Sequence, residues 1–140
     1  MIRIVLDTNV FVSGLFWSGP PSQILDAWEE KNLTLVFSLD IMEEYKRIAH
    51  ALAHKRELHQ DMNVSAALEL IAIHGELASP ISLDKSISRD PDDDKFIACA
   101  LGADCFLIVS GDKDLLDISG YAGINIVKPG EFLKHYLSKE

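Results

Sequence analysis

Several absences narrow this chain before any motif does. No apolar run approaches the roughly 20 residues needed to cross a bilayer. The opening stretch MIRIVLDTN has no long apolar segment and no small-residue cleavage site, so it reads as a strand rather than a leader, and a cytoplasmic protein is expected. Cysteine is scarce. Cys99 and Cys105 lack zinc-ligand spacing, which leaves them as small core residues in a reducing compartment. The five histidines are scattered, and none sits in an acidic motif. Basic charge is short: 13 Lys and Arg face 22 Asp and Glu, a formal net charge of −9. That is the wrong sign for a protein that grips nucleic acid through a broad basic face. Finally, glutamate is missing from Asp84 to Asp117, where nine aspartates stand. Aspartate is a poor helix former and a good cap, turn and metal-binding residue. A solubilising acidic surface explains part of this run but not the members beside apolar stripes.

What is present is a regular alternation of strand and helix signals. At 140 residues with 48% apolar content, the chain suits one globular domain, 1–140. Strands are expected at 2–6, 33–37, 105–109 and 124–127, with a weak one in ELASPI that Pro80 demotes to an edge or strand end. Helices are expected at 22–31, 39–53, 64–74, 92–102 and from Pro129 to about Leu137. Residues 55–61 are polar and read as a connector, and Gly75 stops the helix before it. This order implies an α/β fold with helices on both faces of a mostly parallel sheet of four to five strands.

Acidic residues recur where strands should give way to helices. In an open parallel sheet those junctions share one edge. Asp7 ends the first strand, either as a turn and capping residue or as a carboxylate facing the crevice. Asn9 could orient it or bind a phosphate, and Thr8 could cap the next turn. In IMEEYKRI, helix geometry puts Glu44 at the margin of the stripe Ile41, Tyr45, Ile48 and Leu52, and turns Glu43 to solvent. A pairing of Glu44 with Lys46 or Arg47 is the plainer alternative. In DPDDDKF, Asp93 starts the core-facing series Phe96, Ile97 and Ala100, while Asp94 points away and Asp90 and Asp92 suit turns. In LIVSGDKDLL, Ser110 can hydrogen-bond a carboxylate or phosphate, and Gly111 suits a tight turn with close ligand approach. Asp112 lies nearest the strand end, as ligand or helix cap, with Asp114 one step out. Gathered carboxylates repel unless a hard cation, Mg²⁺ or Mn²⁺, neutralises them. Lys46, Arg47, Lys95 and Lys113 lie beside these motifs, as phosphate contacts or as ordinary surface charges.

Taken together, VLDTNVFVSGLF, MEEYKRI, DPDDDKFIACAL, DCFLIVSGDKDLL and IVKPGEFL resemble the motifs of the PIN domain family. The resemblance spans nearly all of residues 2–137 and is strongest toward VapC-like toxins of prokaryotic toxin–antitoxin systems. It implies a three-layer α/β/α fold and an Mg²⁺- or Mn²⁺-dependent endoribonuclease that cleaves RNA with a metal-activated water. The implied acidic quartet is Asp7, Glu44, Asp93 and Asp112, with Asp114 as an accessory ligand. Asn9, Ser110 and Lys113 would support the substrate. An RNA substrate, an antitoxin protein and a homodimer are the implied partners. An aspartyl phosphatase would want a second acid two residues after Asp7, where Asn9 stands. A receiver-like module would want a lone Asp ending a central strand upstream of Lys128, which is missing. A catalytically silent PIN-like module that binds RNA or protein keeps the same carboxylates without turnover.

Overall fold

The computed structural model of the protein describes residues 1–55 and 61–137. The expected 55–61 connector lies largely outside them. The elements follow the order β1 (Ile2–Leu6), α1 (Thr8–Phe16), α2 (Pro20–Glu29), β2 (Leu33–Phe37), α3 (Leu39–Lys55), α4 (Asp61–His74), β3 (Glu76–Leu77), α5 (Asp94–Gly102), β4 (Leu107–Val109), α6 (Lys113–Leu116), β5 (Asn125–Val127) and α7 (Pro129–Phe132). Short 3₁₀ turns precede α5 and β5, and a wide π turn follows α7.

Five strands form one sheet in the order β3-β2-β1-β4-β5, and every pairing is parallel. Helices flank the sheet in a three-layer α/β/α arrangement. The central strand β1 is short and, apart from Arg3, apolar, and it ends at the polar Asp7-Thr8-Asn9. Ile4, Val5 and Leu6 are fully buried, as are Ile108 and Val109 beside them. Near-continuous apolar runs are what a sheet covered on both faces requires. The two-residue β3 is the edge that Pro80 foretold. Arg3 braces this side: its guanidinium donates to Glu76 at 2.8 Å and 2.5 Å and to the carbonyls of Ala103 and Asp104.

The strand order matters for function. From β1 the chain moves through β2 to β3 on one side, then returns to β4 and β5 on the other. The order therefore reverses between β1 and β4, and the carboxyl ends of those strands open a crevice there. Asp7 follows β1, and Ser110, Gly111 and Asp112 follow β4.

Some expected boundaries shift. The helix expected at 22–31 starts earlier, at Pro20, because Gly19 at φ +125° turns the chain and the two prolines suit a first helical turn. The strand expected at 105–109 pairs regularly only over Leu107–Val109. The helix expected from 92 splits into a 3₁₀ turn, Pro91–Asp93, and α5 proper. The last helix is regular only to Phe132, and Leu133–Leu137 widen into the π turn. Helix α1 has no counterpart among the expected elements. Its sequence, TNVFVSGLF, is rich in poor helix formers, and burial of Thr8, Val10, Phe11 and Val12 decides its form instead.

Candidate active site

Each acid of the crevice is held by its own local structure. Asp7 is only 4% exposed. One of its oxygens accepts the Val10 N–H at 2.8 Å, which caps α1, and the other accepts the Ser110 hydroxyl. Ser110 Oγ in turn accepts the Asp112 N–H at 2.9 Å. A single buried hydroxyl thus fastens the end of β1 to the turn after β4. Asp112 caps α6 by accepting the Leu115 N–H at 3.1 Å. Glu44 reaches in from α3. That helix is anchored one residue on, where the Tyr45 hydroxyl donates to the Leu6 carbonyl at 2.6 Å and its ring stacks on Phe11 at 4.3 Å. One Glu44 oxygen accepts the Thr8 hydroxyl and the other the Lys95 ammonium. Asp93 closes the 3₁₀ turn ahead of α5 and accepts the Ser88 hydroxyl at 3.3 Å.

These elements bring the expected quartet together. Asp7, Glu44, Asp93 and Asp112 line one pocket of about 130 Å³, with Thr8, Asn9, Ile48 and Phe96 completing its wall. Asp93 and Asp112 also belong to a second grouping with Asp114, in which one carboxylate oxygen from each lies within 4.8 Å of the others. Asn9 shares the pocket wall. Ser110 is fully buried and serves Asp7 and Asp112. Lys113 is exposed, bonds Asp117 at 2.9 Å, and borders an adjoining pocket with Asn9, Gly111 and Asp112. A larger cavity of about 400 Å³ lies at the opposite ends of β1 and β2, beside Met1, Trp28, Leu33 and Leu70, and gathers no carboxylate cluster.

Three readings change in detail. The cation bonded to Glu44 is Lys95 rather than Lys46 or Arg47, because α5 runs past α3 at this point while the other two side chains face solvent, from where Arg47 adds only a weaker charge. Asp94 does point away from the pocket, yet it is not idle: it accepts the N–H groups of Ile87 and Ser88. Gly111 does not use glycine's left-handed freedom, since its φ is not positive, and an added Cβ would meet no protein atom within 4 Å. Arg89 went unnoticed in the sequence. It pairs with Asp114 at 3.0 Å and with Asp117, and no local periodicity marks a loop residue for such a role.

The electrostatics follow from burial and crowding. Burial pushes the Asp7 carboxyl up to about 6, and the charges of Asp112 and Glu44 add to this, against the Ser110 and Val10 hydrogen bonds. Burial also pushes Asp93 up to about 7, helped by the hydrogen bond and charge of neighbouring Asp112. Burial acts to raise Glu44 as well, but Lys95 and Thr8 outweigh it and hold that carboxyl below its ordinary value. Two acids that resist ionisation beside one held ionised form an all-oxygen donor set short of positive charge. A hard divalent cation fits such a set by ligand chemistry and by charge.

A parallel α/β sheet with carboxylates converging at its switch point defines an acid-cluster protein of the kind suited to divalent-ion chemistry. The chain belongs to the PIN domain family, whose model matches residues 3–114. The chain is also 30% identical over 146 aligned residues to an uncharacterized protein, MJ1680, of Methanocaldococcus jannaschii, with 96% of this chain and 92% of that protein covered. PIN domains form a nuclease superfamily. The family match ends at Asp114, so it takes in all four pocket acids and leaves β5 and α7 outside.

Proposed function

We propose that this protein is a metal-dependent endoribonuclease and acts as the toxin of a toxin–antitoxin pair. The observation that carries the reading is the convergence of Asp7, Glu44, Asp93 and Asp112 on one pocket at the β1/β4 switch point. Those four would hold Mg²⁺ or Mn²⁺, with Asp114 able to join Asp93 and Asp112. An ion bound there supplies an activated water and offsets charge that develops on the phosphate.

The chain's own residues do the rest. Thr8 holds Glu44 in the pocket wall, and in the free protein Lys95 does so as well. Ser110 fixes Asp7 and, through the Asp112 N–H, the start of α6. Asn9, at the exposed rim, is placed to donate to a phosphate oxygen. Lys113 is the rim cation nearest Asp112 in sequence and would steady the RNA beyond the cleaved bond. No protein nucleophile is needed. The antitoxin and homodimer assignments rest on resemblance to VapC-like toxins.

Incubation with labelled single-stranded RNA should give internal cleavage in Mg²⁺ or Mn²⁺, none in chelator, and none with Asp7→Asn. A folded wild type that takes up the ion yet leaves RNA whole would favour the silent binding module. Uptake of neither ion would remove the reading altogether.

A further inference from the structure

Lys95 sits where a metal-site cation is least expected. It lies in the first turn of α5, two residues after Asp93, and its ammonium bonds a carboxylate oxygen of Glu44 across the gap to α3. Among the ion pairs of the described residues, this is the one whose carboxylate lines the acidic pocket. The Lys95 side chain is 22% exposed, so it is neither sealed in the core nor free in solvent. A lysine stem is long and flexible, and its head is a compact point charge with three rotatable donors.

An ammonium and a divalent cation would both claim Glu44, and like charges at that range disfavour one another. A phosphate brought to the pocket offers the ammonium a second acceptor of the same sign as Glu44. Resting on the nuclease reading, we propose that Lys95 is an RNA-phosphate-binding residue, stored on Glu44 in the free protein and handed to the substrate when the ion takes the carboxylate. The exchange makes ion and RNA mutually favourable partners. It also gives an acidic chain a positive charge at the one place where it must hold a polyanion.

The test compares wild type, Lys95→Met and Lys95→Arg as full-length protein. Mn²⁺ affinity is read by calorimetry without RNA. Binding of a fluorescein-labelled single-stranded oligoribonucleotide is read in Ca²⁺ across a salt series, with RNA integrity checked on a gel. Lys95→Met should bind Mn²⁺ more tightly, on the order of tenfold for one nearby charge removed. It should bind RNA more weakly, with the salt slope reduced by about 0.7 for one lost phosphate contact. Lys95→Arg should stay near wild type in both. A purely structural bridge would lower stability and move neither quantity in this pattern. Lys95→Met with Mn²⁺ affinity unchanged or weakened, or with an unchanged salt slope, overturns the proposal. If that variant does not fold, Lys95→Gln carries the same two outcomes. A wild type that neither takes up Mn²⁺ nor cleaves RNA overturns the nuclease reading and this one together. A wild type that does both, beside a matching Lys95→Met, overturns this one alone.

Discussion

At the scale of single residues, neighbours in the sequence part company according to what their side chains touch. Glu44 is engaged by Thr8 and Lys95 in the pocket wall, whereas Glu43 is exposed. Glu44→Gln should abolish cleavage and Glu43→Gln should leave it. Helix angle alone separates those two, which is why sequence reading could make the choice. The pair Asp93 and Asp94 is less simple. Angle sets Asp93 on the core-facing side, and the structure has it lining the pocket, but angle cannot show that Asp94 collects the N–H groups of Ile87 and Ser88 from the preceding loop. Asp93→Asn should therefore abolish cleavage with little harm to the fold. Asp94→Asn should keep cleavage and cost about 1 kcal/mol of stability, because a charged acceptor of backbone N–H groups is weakened. RNA cleavage assays beside urea melts of all four variants check this. Equal loss of activity within either pair would mean that the pocket is misassigned.

At the scale of elements, β1 and β2 fall where expected because each is a short apolar run ended by a polar turn. The acidic residues at strand ends were legible for the same reason. Helix α1 was not, because its residues disfavour a helix and only the surrounding core makes one. Contacts between distant segments were also hidden, and α5 illustrates the consequence. A Cβ built on Gly102, at its end, would lie 2.0 Å from the Ser79 carbonyl oxygen and 3.0 Å from Pro80 Cα. Helix propensity favours Gly→Ala by about 1 kcal/mol. Here the clash is with backbone, which cannot swing aside, so overpacking of about 1–3 kcal/mol or more should win. Gly102→Ala should thus lower stability by about 2 kcal/mol and shift α5, with Lys95 on its first turn and Asp93 just ahead of it. Gly111→Ala, which meets nothing, should melt like wild type. Thermal melts decide, and a Gly102→Ala variant as stable as wild type would refute the close approach of α5 to residues 79–80.

At the scale of the whole molecule, a chain of net charge −9 concentrates carboxylates in one crevice, and the pH dependence of folding should expose the strain. Asp7 and Asp93 are raised from 3.8 to about 6 and about 7. Below 3.8 both are protonated whether the chain is folded or not, and neither opposes folding. Above about 7 both are ionised in either state, and the folded state bears the full burial and repulsion. Between these limits the folded protein binds more protons than the unfolded chain, so stability must fall as pH rises. Glu44, Glu76 and Asp117 are shifted the other way, but their contribution is complete once pH exceeds their ordinary values, the highest being 4.5. From pH 4.5 to 7.5 in chelator, urea melts should therefore show steady destabilisation, with Asp7 alone worth on the order of 2 kcal/mol over this window. Saturating Mn²⁺ should reverse it, and by more at higher pH, because ions bind the deprotonated acids and only the folded chain gathers them. Asp7 is both pocket acid and α1 cap, and two substitutions divide those roles. Asp7→Asn keeps an oxygen for the Val10 N–H and removes the charge, so in chelator at pH 7.5 it should be more stable than wild type, and its stability should fall less steeply with pH, with the slope from Asp93 remaining. Asp7→Ala also removes the cap and should sit about 1 kcal/mol below Asp7→Asn. Both should lose Mn²⁺ stabilisation. Should wild type melt identically across this pH range in chelator, or Asp7→Asn prove less stable at every pH, then Asp7 is a capping residue without electrostatic strain, and the pocket has no physical need of a cation.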